Sequence, residues 1–256
     1  MSGKLIMKFK SFGDKDLPTF VLLHGGGLSW WSLQGIVYLL RPFFYVITPI
    51  IDGHGEAADE TFISIEDSAH KLIHYIDCEL GGKVFILGGL SLGAQIALEV
   101  LSLREDLADF AVVESALVHP LKGLTALTTF SRLSYRLIQK RWFARLQAKA
   151  LFVPASLYQQ YYEDSLKMSL PSLTNILLSN GRYQLKDTIR LTKSKVLVIV
   201  GEKELPIMKK SALTLNSAIP GSTLYTAPGL KHGEFSLGHP REYVRTINTF
   251  INHRSI

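Results

Sequence analysis

Apolar residues along this chain come in two spacings that alternate. Short continuous runs such as Phe20-Val21-Leu22-Leu23, Phe44-Tyr45-Val46-Ile47, Lys83-Val84-Phe85-Ile86-Leu87 and Phe110-Ala111-Val112-Val113 are bounded by glycine, proline or charged residues. That is the pattern of strands buried on both faces. Between them, apolar positions recur three and four apart. One such stretch covers 30–40 and is stopped by Arg41-Pro42, a second is opened by a Ser64/Asp67 capping box and ended at Gly81-Gly82, and a third covers 94–101. The alternation resumes late, with a strand over Lys195–Gly201, a helix over Pro206–Ala218, a strand at Ser222-Thr223-Leu224-Tyr225 and a terminal helix over 240–251. Strands separated by helices predict an α/β fold, a mostly parallel twisted sheet with helices on both faces.

The strand signal vanishes between about Pro120 and Lys186, leaving helical stretches rich in Leu, Arg, Tyr and Trp. A helical insert between two parts of one sheet predicts a core formed by 1–119 and 187–256, with 120–186 as a helical lid. Ligands bind at the carboxyl ends of strands in open α/β sheets, so the lid is expected to shape a pocket there.

With 47% apolar residues, 256 residues suffice for a full hydrophobic core. The single cysteine, Cys78, excludes an internal disulfide framework and suits a reducing compartment. Residues 1–10 alternate in polarity and lack the apolar core of a signal peptide, and no run approaches the ~20 apolar residues of a membrane span. A cytoplasmic location is expected. The net charge of +6 raises nucleic acid as a partner, but the cations are mostly dispersed and no binding motif accompanies them.

Candidate chemistry starts at Gly89-Leu90-Ser91-Leu92-Gly93, between an apolar run and a helical stretch. A serine between glycines at a strand-to-helix junction reads as a nucleophile elbow, with helix N–H groups facing any developing anion. A serine hydroxyl needs a base, and the base needs an orienting carboxylate. His232, in Pro228-Gly229-Leu230-Lys231-His232-Gly233 after the last strand, has the position expected of the base. His24 and His54 precede the serine in glycine turns and read as loop supports. His70 and His74 share a helix face, but Lys71 stands where a metalloprotease glutamate would, so no metal site is expected. His119, His239 and His253 have no supporting context. Two carboxylates compete as the orienting acid. Glu204 follows the strand ending at Gly201 and is favoured on chain order; Glu114 directly ends the 110–113 run and stays in contention. Expected oxyanion donors are the N–H groups of Leu92 and of Gly26, with Gly27 as the alternative, in His24-Gly25-Gly26-Gly27. A phosphate-binding loop is the rival reading of these glycines, and no Gly-Lys-Ser/Thr or G-x-G-x-x-G supports it.

Taken together, the glycine loop, Gly53-His54-Gly55, the elbow, Gly201-Glu202-Lys203-Glu204 and His232 resemble the α/β-hydrolase superfamily over nearly the whole chain. The resemblance implies a sheet of eight or nearly eight strands, a helical cap after strand six and a Ser–His–acid triad. The elbow looks like those of lidded esterases, enol-lactone hydrolases and C–C bond hydrolases. The family's usual acid at the position of Glu204 is aspartate, some members carry the acid after strand six, and the Asp52 loop lacks the usual two-residue gap before Gly53-His54-Gly55.

The expected activity is hydrolysis of a small or medium carboxylic ester, thioester or lactone through an acyl-enzyme on Ser91, without metal or organic cofactor. The alternatives are another chemistry on the same fold (C–C hydrolase, lyase, haloperoxidase) and a non-catalytic receptor. The partner is a small molecule with an apolar portion, not nucleic acid, and the oligomeric state stays open. In the lid, Arg132, Arg136 and Lys140 form one basic stripe and Arg141, Arg145 and Lys149 another, interleaved with Leu133, Leu137, Ile138, Trp142, Phe143 and Leu146. The favoured reading packs the apolar side on the core and leaves the cations to water; contact with an anionic membrane is the weaker one. Tyr158, Tyr161 and Tyr162 line the pocket or pack the lid.

Overall fold

The apolar runs pair into one sheet in a computed structural model that describes residues 7–121, 123 and 135–252. The strands are β1 (Lys8–Phe12), β2 (Thr19–Leu23), β3 (Tyr45–Ile50), β4 (Val84–Leu90), β5 (Ala108–Glu114), β6 (Lys195–Gly201) and β7 (Thr223–Ala227), in the order β1-β3-β2-β4-β5-β6-β7. All neighbours are parallel except β1, which runs antiparallel to β3. The central strands are buried on both faces. Phe20 and Leu22 of β2 pack with α1 (Gln34–Leu40) and the terminal helix on one side of the sheet. Val21 and Leu23, pointing the other way, pack with α2 (Ile65–Glu79) and α3 (Leu92–Leu103) on the opposite side. This two-sided cover is what continuous rather than alternating apolar runs require.

Three sequence expectations change. Among the described residues the sheet has seven strands, in keeping with eight or nearly eight, but the helical segment follows the fifth of them rather than a sixth. The strand β1 was not read as one: it is a short edge strand of charged and aromatic residues, partly exposed, and its pattern carries little burial signal. The single helix expected over 30–40 is a 3₁₀ turn, Trp30–Leu33, continued by α1, the break falling where Leu33 leaves helical geometry.

The 64/67 signal forms as half a capping box, the Ser64 hydroxyl accepting the Asp67 N–H at 3.1 Å. Within the helical segment, α4 (Arg141–Ala150), α5 (Tyr158–Lys167) and α6 (Leu170–Arg182) are joined without strands among the described residues. Behind it come α7 (Pro206–Ala218), a short α8 (Glu234–Gly238) that the sequence did not suggest, and α9 (Pro240–Asn252). Ala144, Ala148, Tyr161 and Tyr162 form a third apolar cluster with Leu28, Trp31 and Leu90, seating the segment over the strand ends. Among the described residues no helix is long and apolar enough to cross a membrane.

The junction of β4 and α3 is the tightest place in the fold. Ser91 sits there at φ 52°, ψ −111°, outside the ordinary regions for a residue with a side chain. A Cβ on Gly89 would fall on the Gly93 carbonyl, and one on Gly93 would lie 2.6 Å from His24 O and 2.7 Å from Leu23 Cβ. Backbone therefore touches backbone on both sides of the serine. Gly93→Ala is expected to destabilise the fold by about 3 kcal/mol through overpacking. Gly81→Ala, at φ 72° with nothing near its Cβ position, is expected to show only the roughly 1 kcal/mol of left-handed strain. Urea unfolding of the two variants checks the difference.

Candidate active site

The elbow lifts the Ser91 side chain above the carboxyl edge of the sheet, where the β7–α8 loop brings His232 to it. Gly201 makes that approach close: a Cβ there would lie 2.5 Å from Leu230 O, and the Lys203 N–H donates to the same carbonyl at 2.8 Å. His232 Nε2 stands 3.0 Å from Ser91 Oγ, and its Nδ1 stands 2.8 Å from Glu204 Oε2. The arrangement fits a hydroxyl donating to Nε2 while Nδ1–H donates to the carboxylate. The other carboxylate oxygen, Oε1, accepts from the Gly201 N–H at 2.8 Å and the Ser115 hydroxyl at 2.7 Å. Ser115 Oγ accepts in turn from Gly233 N at 3.4 Å.

The two candidate acids end up in different environments. Burial alone would raise the Glu204 carboxyl, but the hydrogen bond and charge of His232, with the bonds from Gly201 and Ser115, outweigh it and hold the group below its ordinary value. Glu114 is fully buried, and burial pushes its carboxyl to about 7, with Ser236 only partly opposing the shift. The Ser236 N–H reaches its Oε1 at 3.3 Å, and its Oε2 has no hydrogen-bond partner among the described residues. Glu114 does not contact the His232 ring through any hydrogen bond described. Two neighbouring carboxyls with separated proton affinities are the arrangement in which one stays ionised and the other neutral.

Gly26 lies against Leu92, a Cβ on the glycine falling 3.7 Å from Leu92 Cβ. Leu92 is the first residue of α3, where helical N–H groups have no partner within the helix. Gly27, the alternative donor, is otherwise engaged: its N–H donates to His54 Nε2 at 3.0 Å. His54 donates from Nδ1 to Asp52 O, while His24 accepts the Ile51 N–H and donates to Gly25 O. Both rings are buried, and desolvation lowers them to about 4 for His54 and about 3 for His24, where the neighbouring His54 adds to the shift. They are neutral loop supports, as their glycine-turn positions suggested. Asp52 is tied to Lys71 at 2.6 Å and belongs to the same support. His70 and His74 are exposed on α2, His119 meets Thr214, and no group of three metal-ligating side chains gathers among the described residues. His253, Arg132 and Leu133 lie outside them.

A cavity of about 420 Å³ opens over Ser91. Its walls are mainly apolar, with Leu28, Ile138, Leu151, Met168, Leu173 and Ile176 among them, and Asp164, Asn180, Gln147 and Ser165 among the polar members. Asp164 is occupied by the Trp31 indole N–H at 2.8 Å and by Lys167. Tyr161 lines this cavity against Trp31, whereas Tyr158 and Tyr162 stack on each other within the helical segment.

A model of the alpha/beta hydrolase family matches residues 20–246. The chain belongs to that family. Membership covers the elbow, the glycine loop and His232, and marks the chain as an enzyme of the hydrolase type. No curated protein matches it in sequence. Solved structures share the fold at low identity. An esterase from Thermogutta terrifontis superposes with a TM-score of 0.74 at 19% identity, covering 96% of this chain and 92% of its own. A carboxylesterase from Bacillus subtilis gives 0.72 at 20%, covering 95% and 87%. A bromoperoxidase from Bacillus anthracis gives 0.80 at 17%, covering 96% and 95%. At such identities the likeness is one of architecture, and it spans enzymes of different chemistry.

Ser115 and Ser236 escaped the sequence reading, although each holds a carboxylate of this hydrolase-family site. Neither serine sits in a motif, and only the residue after a strand end, at φ 56° for Ser115, marks a special position. The buried Glu114 gives a pH test. Its folded affinity for a proton, about 7, lies above the ordinary carboxyl value of about 4.5. Its favourable contribution is therefore complete below about 4.5 and is lost as the pH rises through about 7. Relative to Glu114→Gln, the native chain is expected to lose on the order of 3 kcal/mol of stability between pH 4.5 and 8. Urea unfolding of both proteins across that range checks it; a constant difference would contradict it.

Proposed function

We propose that the chain is a serine hydrolase acting on a small or medium carboxylic ester, thioester or lactone through an acyl-enzyme. The observation that carries this reading is the continuous hydrogen-bonded line from Glu204 through His232 to Ser91 at the floor of an apolar cavity. His232 takes the proton from Ser91 as Oγ attacks the substrate carbonyl. The ionised Glu204 stabilises the imidazolium that forms, and the Leu92 and Gly26 amides receive the oxyanion. His232 then returns the proton to the leaving oxygen or sulfur, and afterwards deprotonates a water that attacks the acyl group. No step requires a metal or organic cofactor.

The helical segment within 120–186 acts as the lid, because α4, α5 and α6 all contribute walls to the cavity. Those walls favour an apolar acyl or alcohol portion over a charged one, since transfer of a charge into such surroundings is unfavourable without a partner. The polar groups there are largely committed elsewhere, Asn180 to Gln95 and Asp164 to Trp31. The exposed free Cys78 suits a reducing, cytoplasmic setting.

Fluorophosphonate labelling and a panel of p-nitrophenyl esters of graded acyl length test the proposal. Ser91→Ala is expected to abolish both labelling and turnover, and activity persisting in that variant overturns the mechanism. Glu204→Gln is expected to lower kcat by roughly 10³-fold or more, by analogy with loss of the orienting carboxylate in serine proteases. Glu114→Gln is expected to keep turnover within about tenfold of native, as for a group outside the proton-transfer line. The reverse order would move the acid to Glu114. For Ser115→Ala, which removes one of three donors to Glu204, the expected fall in kcat is about tenfold with little change in KM, in keeping with one charged-acceptor hydrogen bond.

A further inference from the structure

The favoured sequence reading of α4 placed its apolar side chains on the core and its cations in water. Its cations do face water, but so do two of its largest apolar residues. Trp142 is 63% exposed and Leu146 is 61% exposed, one helical turn apart, while the inner face is made of the small Ala144 and Ala148. Arg141, Arg145 and Lys149 are exposed on the same helix. The Arg141 and Arg145 guanidiniums rest over the rings of Tyr162 and Tyr158, at 5.1 and 5.7 Å, which fixes two cations beside the apolar pair. No aspartate or glutamate occurs between Glu114 and Glu163, so this charge has no acidic neighbour along that stretch of chain.

We propose that the outward face of α4 docks on an anionic lipid bilayer. Basic side chains that meet headgroup phosphates, flanking a tryptophan and a leucine that enter the layer beneath, are the composition of an interfacial helix. The charged groups on this face are all cations, which complements a uniformly anionic surface. A nucleic acid would use the cations and leave Leu146 without a role. Gln147 and Ala150 of α4, with Leu151 just after it, line the cavity over Ser91. Docking therefore sets the cavity beside the lipid surface, where an acyl ester partitions; this last consequence, unlike the docking itself, rests on the hydrolase reading.

Co-sedimentation of the full chain with vesicles tests the docking without any need for turnover. Equal mixtures of phosphatidylglycerol and phosphatidylcholine are compared with phosphatidylcholine alone, at low salt and at about 0.5 M, where screening is strong. Binding to the anionic vesicles is expected to be at least tenfold tighter than to neutral ones and to weaken at high salt. The pair Trp142→Ser/Leu146→Ser and the set Arg141→Gln/Arg145→Gln/Lys149→Gln are each expected to reduce it at least tenfold. Both variants should keep the native Tm and the native turnover of a soluble short-chain ester. Absence of binding, undiminished binding by either variant, or tighter binding to a DNA duplex or to polyglutamate than to vesicles overturns the proposal. Loss of ester turnover in the native chain would strike the hydrolase reading and leave this result standing.

Discussion

The backbone of Ser91 is held where an isolated residue would not stay, and the rest of the site is arranged around that constraint. A positive φ with a side chain present costs on the order of 1–3 kcal/mol, and the surroundings must supply it. They do so through backbone alone. Ser91 N–H donates to Glu114 O on β5, and Gln95 N–H donates to Ser91 O as the first turn of α3 closes. The same step is taken again one strand further on: Ser115, at φ 56°, donates its N–H to Ile199 O on β6. Each strand thus hands its neighbour one hydrogen bond past its own end, and two serines are turned out at the carboxyl edge. One of them faces His232 and the other holds Glu204.

That edge is also where two carboxyls are withdrawn from water, and their different fates follow from the number of donors each meets. Glu204 receives His232, Gly201 and Ser115, enough to compensate the lost hydration of an anion. Glu114 receives Ser236 and has one oxygen without a hydrogen-bond partner among the described residues, so the neutral form is the cheaper one to bury. Ionised Glu204 further disfavours a second negative charge nearby, the smallest of the causes acting on Glu114. A single negative charge is therefore concentrated on the side of His232 remote from Ser91.

How far this was legible in the sequence depended on whether a feature is local. Lys195–Gly201 and Pro206–Ala218 read correctly to the residue because the apolar run and the proline that opens the helix lie within each segment. The elbow was legible for the same reason, since its two glycines and its serine are a five-residue steric requirement. β1 was not, because an edge strand makes few demands on its side chains. Between Glu204 and Glu114 the sequence offered only position, as both follow strands; what separates them is a donor count that includes Ser115, 89 residues from Glu204. The exposure of Trp142 and Leu146 was hidden likewise. Periodicity gives α4 two faces, and only the packing of Ala144 and Ala148 against Tyr161 and Tyr162 says which one turns inward.

Two buried histidines hold the glycine loop, and both do so as neutral rings. His54 Nε2 accepts the Gly27 N–H and His24 Nε2 accepts the Ile51 N–H, and neither bond exists if the ring is charged. Complete burial keeps both rings neutral well below pH 6.5, so the glycine loop keeps these bonds across the neutral range. His232 is treated in the opposite way. Its side chain is 44% exposed and its Nδ1 stands 2.8 Å from Glu204 Oε2. A solvated His54, by contrast, would release Gly27 in mild acid, because the protonated ring has no lone pair left to accept the N–H. Burial thus makes the hold of His24 and His54 on the glycine loop independent of pH down to about 4.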